Sequence, residues 1–190
     1  TYHPKRTLWE APAPVLACTG NDHLVVVGLA TLALMVLSPL DDGQWTVVHT
    51  LHTHAPVSSL DIADVLVASF WDRSLCTYAV PDMKLLAHHT TSSLVCSALW
   101  HRFVPDGPAY VVLGCNDGHV LVHDAHYTRI HSRRMGTHPV RLARVPLSAL
   151  GSSMTGVVAF GRHAYFLYLK ESVLCGTAWS VDHVTGLTCT

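Results

Sequence analysis

Residues 109–124 read AYVVLGCNDGHVLVHD. Two runs rich in Val and Leu flank Asn116, Asp117 and Gly118, residue types that tolerate the positive φ a tight hairpin demands. The stretch therefore predicts two antiparallel strands joined at a short tip. The same grammar continues in both directions. Short apolar runs are separated by turn residues, such as DDG at 41–43, PD at 81–82 and PDGP at 105–108. Hardly any window carries helical periodicity, so the chain is predicted to be all-β.

The runs fall into groups of four. The first group is VLACTG (15–20), HLVVVG (23–28), TLALMVL (31–37) and WTVVHT (45–50). The second is VSSLDI (57–62), VLVAS (65–69), SLCTYAV (74–80) and KLLAHH (84–89). The third is LVCSALW (94–100), AYVVLGC (109–115), HVLVHD (119–124) and TRIHSRR (128–134). The fourth is VRLARVPL (140–147), GVVAFG (156–161), AYFLYL (164–169) and VLCGTAW (173–179). A small residue closes each second run, at Gly28, Ser69, Gly114 and Gly161, giving intervals of 41, 45 and 47 residues. Four short strands repeated at this period are the mark of β-propeller blades, each of which buries its faces only against neighbours. Four blades do not close a ring, so the chain is expected to be a segment of a larger, multi-propeller protein. Its start at Thr1 and its end in DHVTGLTCT fit that expectation.

Composition narrows the function classes. The 190 residues are 49% hydrophobic and 13% charged, enough to bury a core, and the net charge of −1 gives no overall field favouring nucleic acid or an anionic membrane. The longest uncharged run, Leu24 to Leu37, has 14 residues, short of the roughly 20 a spanning helix needs. It reads as two buried strands, and no membrane association is expected. The six cysteines are scattered singly, with no close Cys-x-x-Cys pair, which favours a reducing compartment and gives no structural zinc signature.

Trp71 and Asp72 form the Trp-Asp dipeptide that names a large propeller repeat family. There, however, the dipeptide closes the third strand, a place held by His123 and Asp124 in the third group. With the groups aligned, Asp72 falls on Asp117, so Trp71 belongs to the tip between the second and third strands. An indole there either covers the next blade or anchors a partner, since Trp is enriched at binding hot spots.

The fifteen histidines invite a metal or catalytic reading. His119 and His123, four apart on a strand, stand about 13 Å from each other and cannot share an ion unaided. His52 and His54 would share a strand face and His88 and His89 would oppose each other, with no convincing third ligand for either pair. No serine sits in a nucleophile elbow and no cysteine has a basic setting. Neither enzyme activity, nor a metal, cofactor or small-molecule substrate, is expected. Five arginines, Arg129, Arg133, Arg134, Arg141 and Arg144, fall within 16 residues. Alternation would set Arg141 opposite Arg144, while Arg129, Arg133 and Arg134 are candidates for contact with nucleic acid or an acidic partner.

Longer stretches carry a resemblance. WEAPAPVLACTGNDHLVVVG, VSSLDIADVLVASFWDRSLCTYAVPDMKLL, AYVVLGCNDGHVLVHD, RRMGTHPVRLARV and VVAFGRHAYFLYLKESVL resemble, in order, the large-subunit family of damage-specific DNA-binding protein. That superfamily also holds the A subunit of the cleavage and polyadenylation specificity factor and the propeller subunit of splicing factor 3b. The resemblance implies a non-enzymatic scaffold of three seven-bladed propellers, active in DNA damage repair in nucleus and cytoplasm. It would link a cullin-4-type ubiquitin ligase to WD40-type substrate receptors, with damaged DNA as an indirect partner through a receptor. Residues 1–134 would be the last blades of the second propeller. Residues 135–190 would be the crossing, near Met135–Pro139, and the first blades of the third. Trp71 matches the family's cullin-facing Trp, and Arg162, with His163 beside it, matches a receptor-facing arginine. The local sequence Gly161-Arg162-His163 departs from the family's Asp-Arg-Pro. The alternative is an RNA-processing scaffold of the same superfamily, in splicing or 3′-end formation.

Overall fold

The computed structural model describes residues 9–41, 43–146, 154–161, 163–170 and 173–179. They form sixteen strands in four antiparallel sheets of four, each sheet paired in chain order. Sheet one holds β1 (Val15–Gly20), β2 (Val25–Leu29), β3 (Ala33–Pro39) and β4 (Trp45–His52). Sheet two holds β5 (Val57–Ile62), β6 (Val65–Phe70), β7 (Ser74–Ala79) and β8 (Leu85–Thr90). Sheet three holds β9 (Val95–Arg102), β10 (Ala109–Cys115), β11 (His119–Asp124) and β12 (Arg129–Arg134). Sheet four holds β13 (Arg141–Pro146), β14 (Thr155–Phe160), β15 (Ala164–Lys170) and β16 (Val173–Trp179). These are propeller blades, as the repeat predicts. No helix among the described residues is long and apolar enough to cross a membrane.

The first strands β1, β5, β9 and β13 pack in a row, and each sheet runs outward from that row. Burial follows the geometry. The second strands are almost continuously buried, β6 and β10 because both their faces meet neighbouring sheets and β2 because it lies between sheet two and the segment of Trp9, Ala11 and Ala13, whereas the outermost β4, β8 and β12 are largely exposed. In β6, alternation sends Leu66, Ala68 and Phe70 into the core shared with Val26, Leu34 and Val36 of sheet one. Val67 points the other way, joining Val95, Val111 and Leu113 of sheet three. Sheet four stacks on sheet three through Val112, Val120 and Val122 against Val157, Ala159 and Leu167. A one-residue slip would exchange these two faces, so the sheet-to-sheet packing fixes the register.

The small residue closing each second strand has a steric cause. A Cβ on Gly28 would lie 2.2 Å from Val57 Cγ1, and one on Gly114 only 2.4 Å from the carbonyl oxygen of Val140. In these two blades the chain entering the next sheet's first strand passes over that spot and leaves no room for a side chain.

Side chains also stitch the inner strands together. Ser59 Oγ accepts from Ala98 N at 3.0 Å, and Ser97 Oγ accepts from Leu142 N at 3.2 Å. Asp61, 4% exposed, accepts from Trp100 N at 2.7 Å and from the Arg144 guanidinium, so one carboxylate ties β5 to both β9 and β13. Arg144 also donates to Trp100 O, and Arg141 donates to Cys96 O. Both arginines therefore reach back to carbonyls of β9, and the β13–β14 register is unbroken between them. The division expected between residues 134 and 135 falls in the connection from sheet three to sheet four. There, Met135 N donates to Gly118 O and Val140 N to Cys115 O.

Candidate interaction rim

The tips joining the second and third strands share one construction. Their third residues, Leu32, Arg73 and Gly118, have φ of 58°, 71° and 88°. The first residue's amide donates to the carbonyl of the residue just before the blade's inner strand: Ala30 to Pro14 O, Trp71 to Pro56 O and Asn116 to Leu94 O. The third residue's carbonyl accepts from the connection to the next blade: from Thr53 N, Thr91 N and Met135 N respectively. These tips and the blade-to-blade connections thus lie on one rim.

Asp72 and Asp117 hold equivalent places, as the alignment predicts. Asp72 Oδ1 accepts from Ser74 N at 3.0 Å and Ser74 Oγ at 2.6 Å, and Asp117 Oδ1 accepts from His119 N at 3.2 Å. Burial pushes the Asp72 carboxyl up, but the two Ser74 bonds and His54 outweigh it and hold the group below the usual carboxylate range. His54 Nε2 lies 2.9 Å from both Asp72 Oδ2 and Ser74 Oγ. A Ser-His-Asp relay needs the acid and the hydroxyl on opposite ring nitrogens. Here one nitrogen meets both, so the cluster fastens the loop and does not activate the serine. His54 has left the strand face expected for it, because β4 ends at His52.

On this braced tip Phe70 points inward, 1% exposed, with its ring centroid 5.3 Å from that of His54. Trp71, the next residue, is 60% exposed. The indole covers no neighbouring blade among the described residues.

The other candidates separate. Arg162 lies outside the described residues. His163 is exposed and lines a cleft of about 320 Å³ with Arg133, Arg134, Met135 and Tyr165. The Arg133 guanidinium carbon stands 5.9 Å from the Tyr165 ring centroid, within cation–π range. His131 Nε2 is 2.9 Å from Tyr165 Oη, and the two rings stack. Burial and Arg133 hold His131 below the ordinary histidine range. Arg134 Nε donates to Gly136 O. Arg129 is elsewhere, between sheets two and three with His89 and His123, so the arginines grouped by sequence do not form one patch. Arg141 and Arg144 serve the inner stitching.

No group of three or more His, Cys, Asp or Glu among the described residues is placed to hold a metal ion. His88 and His89 do point apart: His88 faces His54, and His89 faces His123 and Tyr127. Sequence reading missed the Asp61–Arg144 tie, the His54–Asp72–Ser74 clasp and Tyr165. The one local signal was an aspartate inside the apolar run VSSLDI.

No family model matches the chain, and no curated protein matches it. Solved structures do. "Structure of U3-55K" aligns with a TM-score of 0.68 at 12% identity, over 90% of this chain and 54% of that one. "Crystal structure of RRP9 WD40 repeats" aligns with a TM-score of 0.67 at 12% identity, over 90% of this chain and 53% of that one. The chain thus spans about half the length of the structures it matches. At that identity the likeness establishes the WD40-type propeller fold.

Proposed function

We propose that this chain is a non-enzymatic propeller scaffold that docks a partner protein on the rim carrying Trp71. The observation that carries this reading is an indole 60% exposed on a tip whose backbone is fastened at both ends. Such an anchor loses little conformational freedom on binding, so more of its apolar burial survives as affinity. A catalytic role finds no support in the one Ser-His-Asp cluster of the rim, whose geometry is wrong for proton relay.

The finer reading, supported by the sequence resemblance, is an adaptor of a cullin-4-type ubiquitin ligase. Trp71 would face the cullin, and the His163 side, with Arg162, would meet a WD40-type substrate receptor. On this reading the protein serves DNA damage repair, in nucleus and cytoplasm. The test is affinity capture of the full protein and of Trp71→Ala, with Leu85→Ala as an exposed apolar control on another strand. Loss of a cullin-4-type partner on Trp71→Ala alone supports the adaptor; retention of that partner defeats the role given to Trp71. The RNA-processing alternative is favoured by the cleft of Arg133, Arg134 and Tyr165, which offers two guanidinium groups beside an aromatic ring. Capture of splicing or polyadenylation subunits, lost on Arg133→Ala and kept on Trp71→Ala, would select it.

A further inference from the structure

Between the outer parts of sheets two and three lies a polar groove that neither the rim nor the cleft accounts for. Its main recess has a volume of about 280 Å³ and is lined by His89, Ser92, Leu121, His123, Tyr127 and Arg129. A second recess of about 110 Å³ shares Ser92, Leu121 and Arg129 and reaches Asp117 and His119.

Three observations converge there. His123 is only 7% exposed, and its Nδ1, closed to solvent, has no hydrogen-bond partner. A buried polar atom without a partner costs about 1–3 kcal/mol, which native structures seldom leave uncompensated. Second, Arg129 lines both recesses and makes no ion pair with a carboxylate among the described residues. Third, the far wall is rigid. Tyr127 stacks on His89 with ring centroids 5.2 Å apart, and its hydroxyl donates to Thr77 Oγ1 at 2.9 Å. Its loop is held by Asp124 Oδ1, which accepts from His126 N and Thr128 N.

The charge balance selects the ligand. Burial, then His89, then Arg129 hold His123 below the ordinary histidine range, with Asp124 pulling weakly the other way. Asp117 is occupied by His119. The main recess therefore has no carboxylate in its lining and is supplied with donors: a guanidinium, two imidazoles and the Ser92 hydroxyl. We propose that it binds a terminal anion, a phosphate monoester or carboxylate, carried on a side chain of a partner peptide. A nucleic-acid phosphodiester fits less well, because it carries a sugar on each side and would have to bring both into a recess of about 280 Å³. The guanidinium fork and the imidazole would take the anion's oxygens in charge-assisted hydrogen bonds.

The inference is independent of the Trp71 rim and stands or falls separately. The test follows the imidazole signals of His89 and His123 by nitrogen-15 NMR during titration. The titrants are inorganic phosphate, a phosphoserine peptide, a glutamate-rich peptide and a single-stranded oligonucleotide. Anion binding is expected to perturb both imidazoles and raise the pH at which His123 titrates. Arg129→Gln, a change at an exposed position, should weaken the response about tenfold or more with an unaltered thermal midpoint. Tighter binding of a peptide than of phosphate supports the proposal as stated. Binding of free phosphate alone overturns the peptide as source, and preference for the oligonucleotide overturns the terminal anion. Silence of both histidines, or equal affinity in Arg129→Gln, refutes the site.

Discussion

Replacing Asp61 tests the claim that one carboxylate ties three blades. In Asp61→Ala the Trp100 amide loses its acceptor and Arg144 loses its counter-charge. Stripping a buried amide of its partner costs about 1–3 kcal/mol. Breaking a fully buried ion pair costs about 3–5 kcal/mol. The Asp61 side chain is 6% exposed but that of Arg144 is 39% exposed, so water recovers part of the arginine's loss. The two contributions together come to about 3 kcal/mol. With a urea slope of about 2 kcal/mol per molar, the unfolding midpoint should fall by about 1.5 M. Asp61→Asn keeps an oxygen for Trp100 N and loses only the charge, so its shift should be about half as large. A double-mutant cycle of Asp61→Ala with Arg144→Ala should return a coupling of about 1 kcal/mol or more. The assay is urea unfolding followed by tryptophan fluorescence and circular dichroism. An Asp61→Ala midpoint within about 0.3 M of the parent, or equal losses for Ala and Asn, would refute the reasoning.

Two further outcomes follow from buried positions. His101 is 3% exposed, and burial, followed by the Arg144 charge, pushes its pKa from 6.5 down to about 4. The unfolded chain takes up the proton first, so this stability is complete above about pH 6.5 and is lost as pH falls toward 4, by about 3 kcal/mol in all. Urea midpoints measured across that range should slope less in His101→Gln, and an unchanged slope would count against the assignment. Gly114→Ala brings a Cβ to 2.4 Å from Val140 O, so β13 must shift at a cost of about 1–3 kcal/mol. A thermal midpoint equal to that of the parent would show that the strand does not cross so closely.

The strand pattern was legible because its signals are local. VSSLDI became β5 and HVLVHD became β11 without a change of boundary, and Asn116-Asp117-Gly118 made the tip its composition demands. The link between Asp61 and Arg144 spans 83 positions and depends on how three sheets stack, about which neither residue's neighbours say anything. The arginines separate for a related reason. Val122 pairs with His131 and His123 with Arg129, leaving Ile130 as an extra residue in β12. That irregularity helps to turn Arg129 toward sheet two while Arg133 lies against Tyr165 of sheet four. Trp71 was placed correctly at the tip by alignment, but its exposure rests on Phe70 having taken the inward position.

The tips on the rim separate two demands that proteins often have to meet with the same residue. Ala30, Trp71 and Asn116 occupy the same first position, each with its amide engaged and its side chain exposed. The fold asks little of those side chains, Asn116 Oδ1 accepting a long contact from Cys96 Sγ at 3.7 Å, and exposed substitutions of this kind usually stay within about 0.5 kcal/mol. A single codon change there can exchange a methyl for an indole or a carboxamide while the backbone stays put. The rim is thus a row of interchangeable letters on a fixed frame. A lineage could rewrite what the propeller recognises, one blade at a time, without passing through an unstable intermediate.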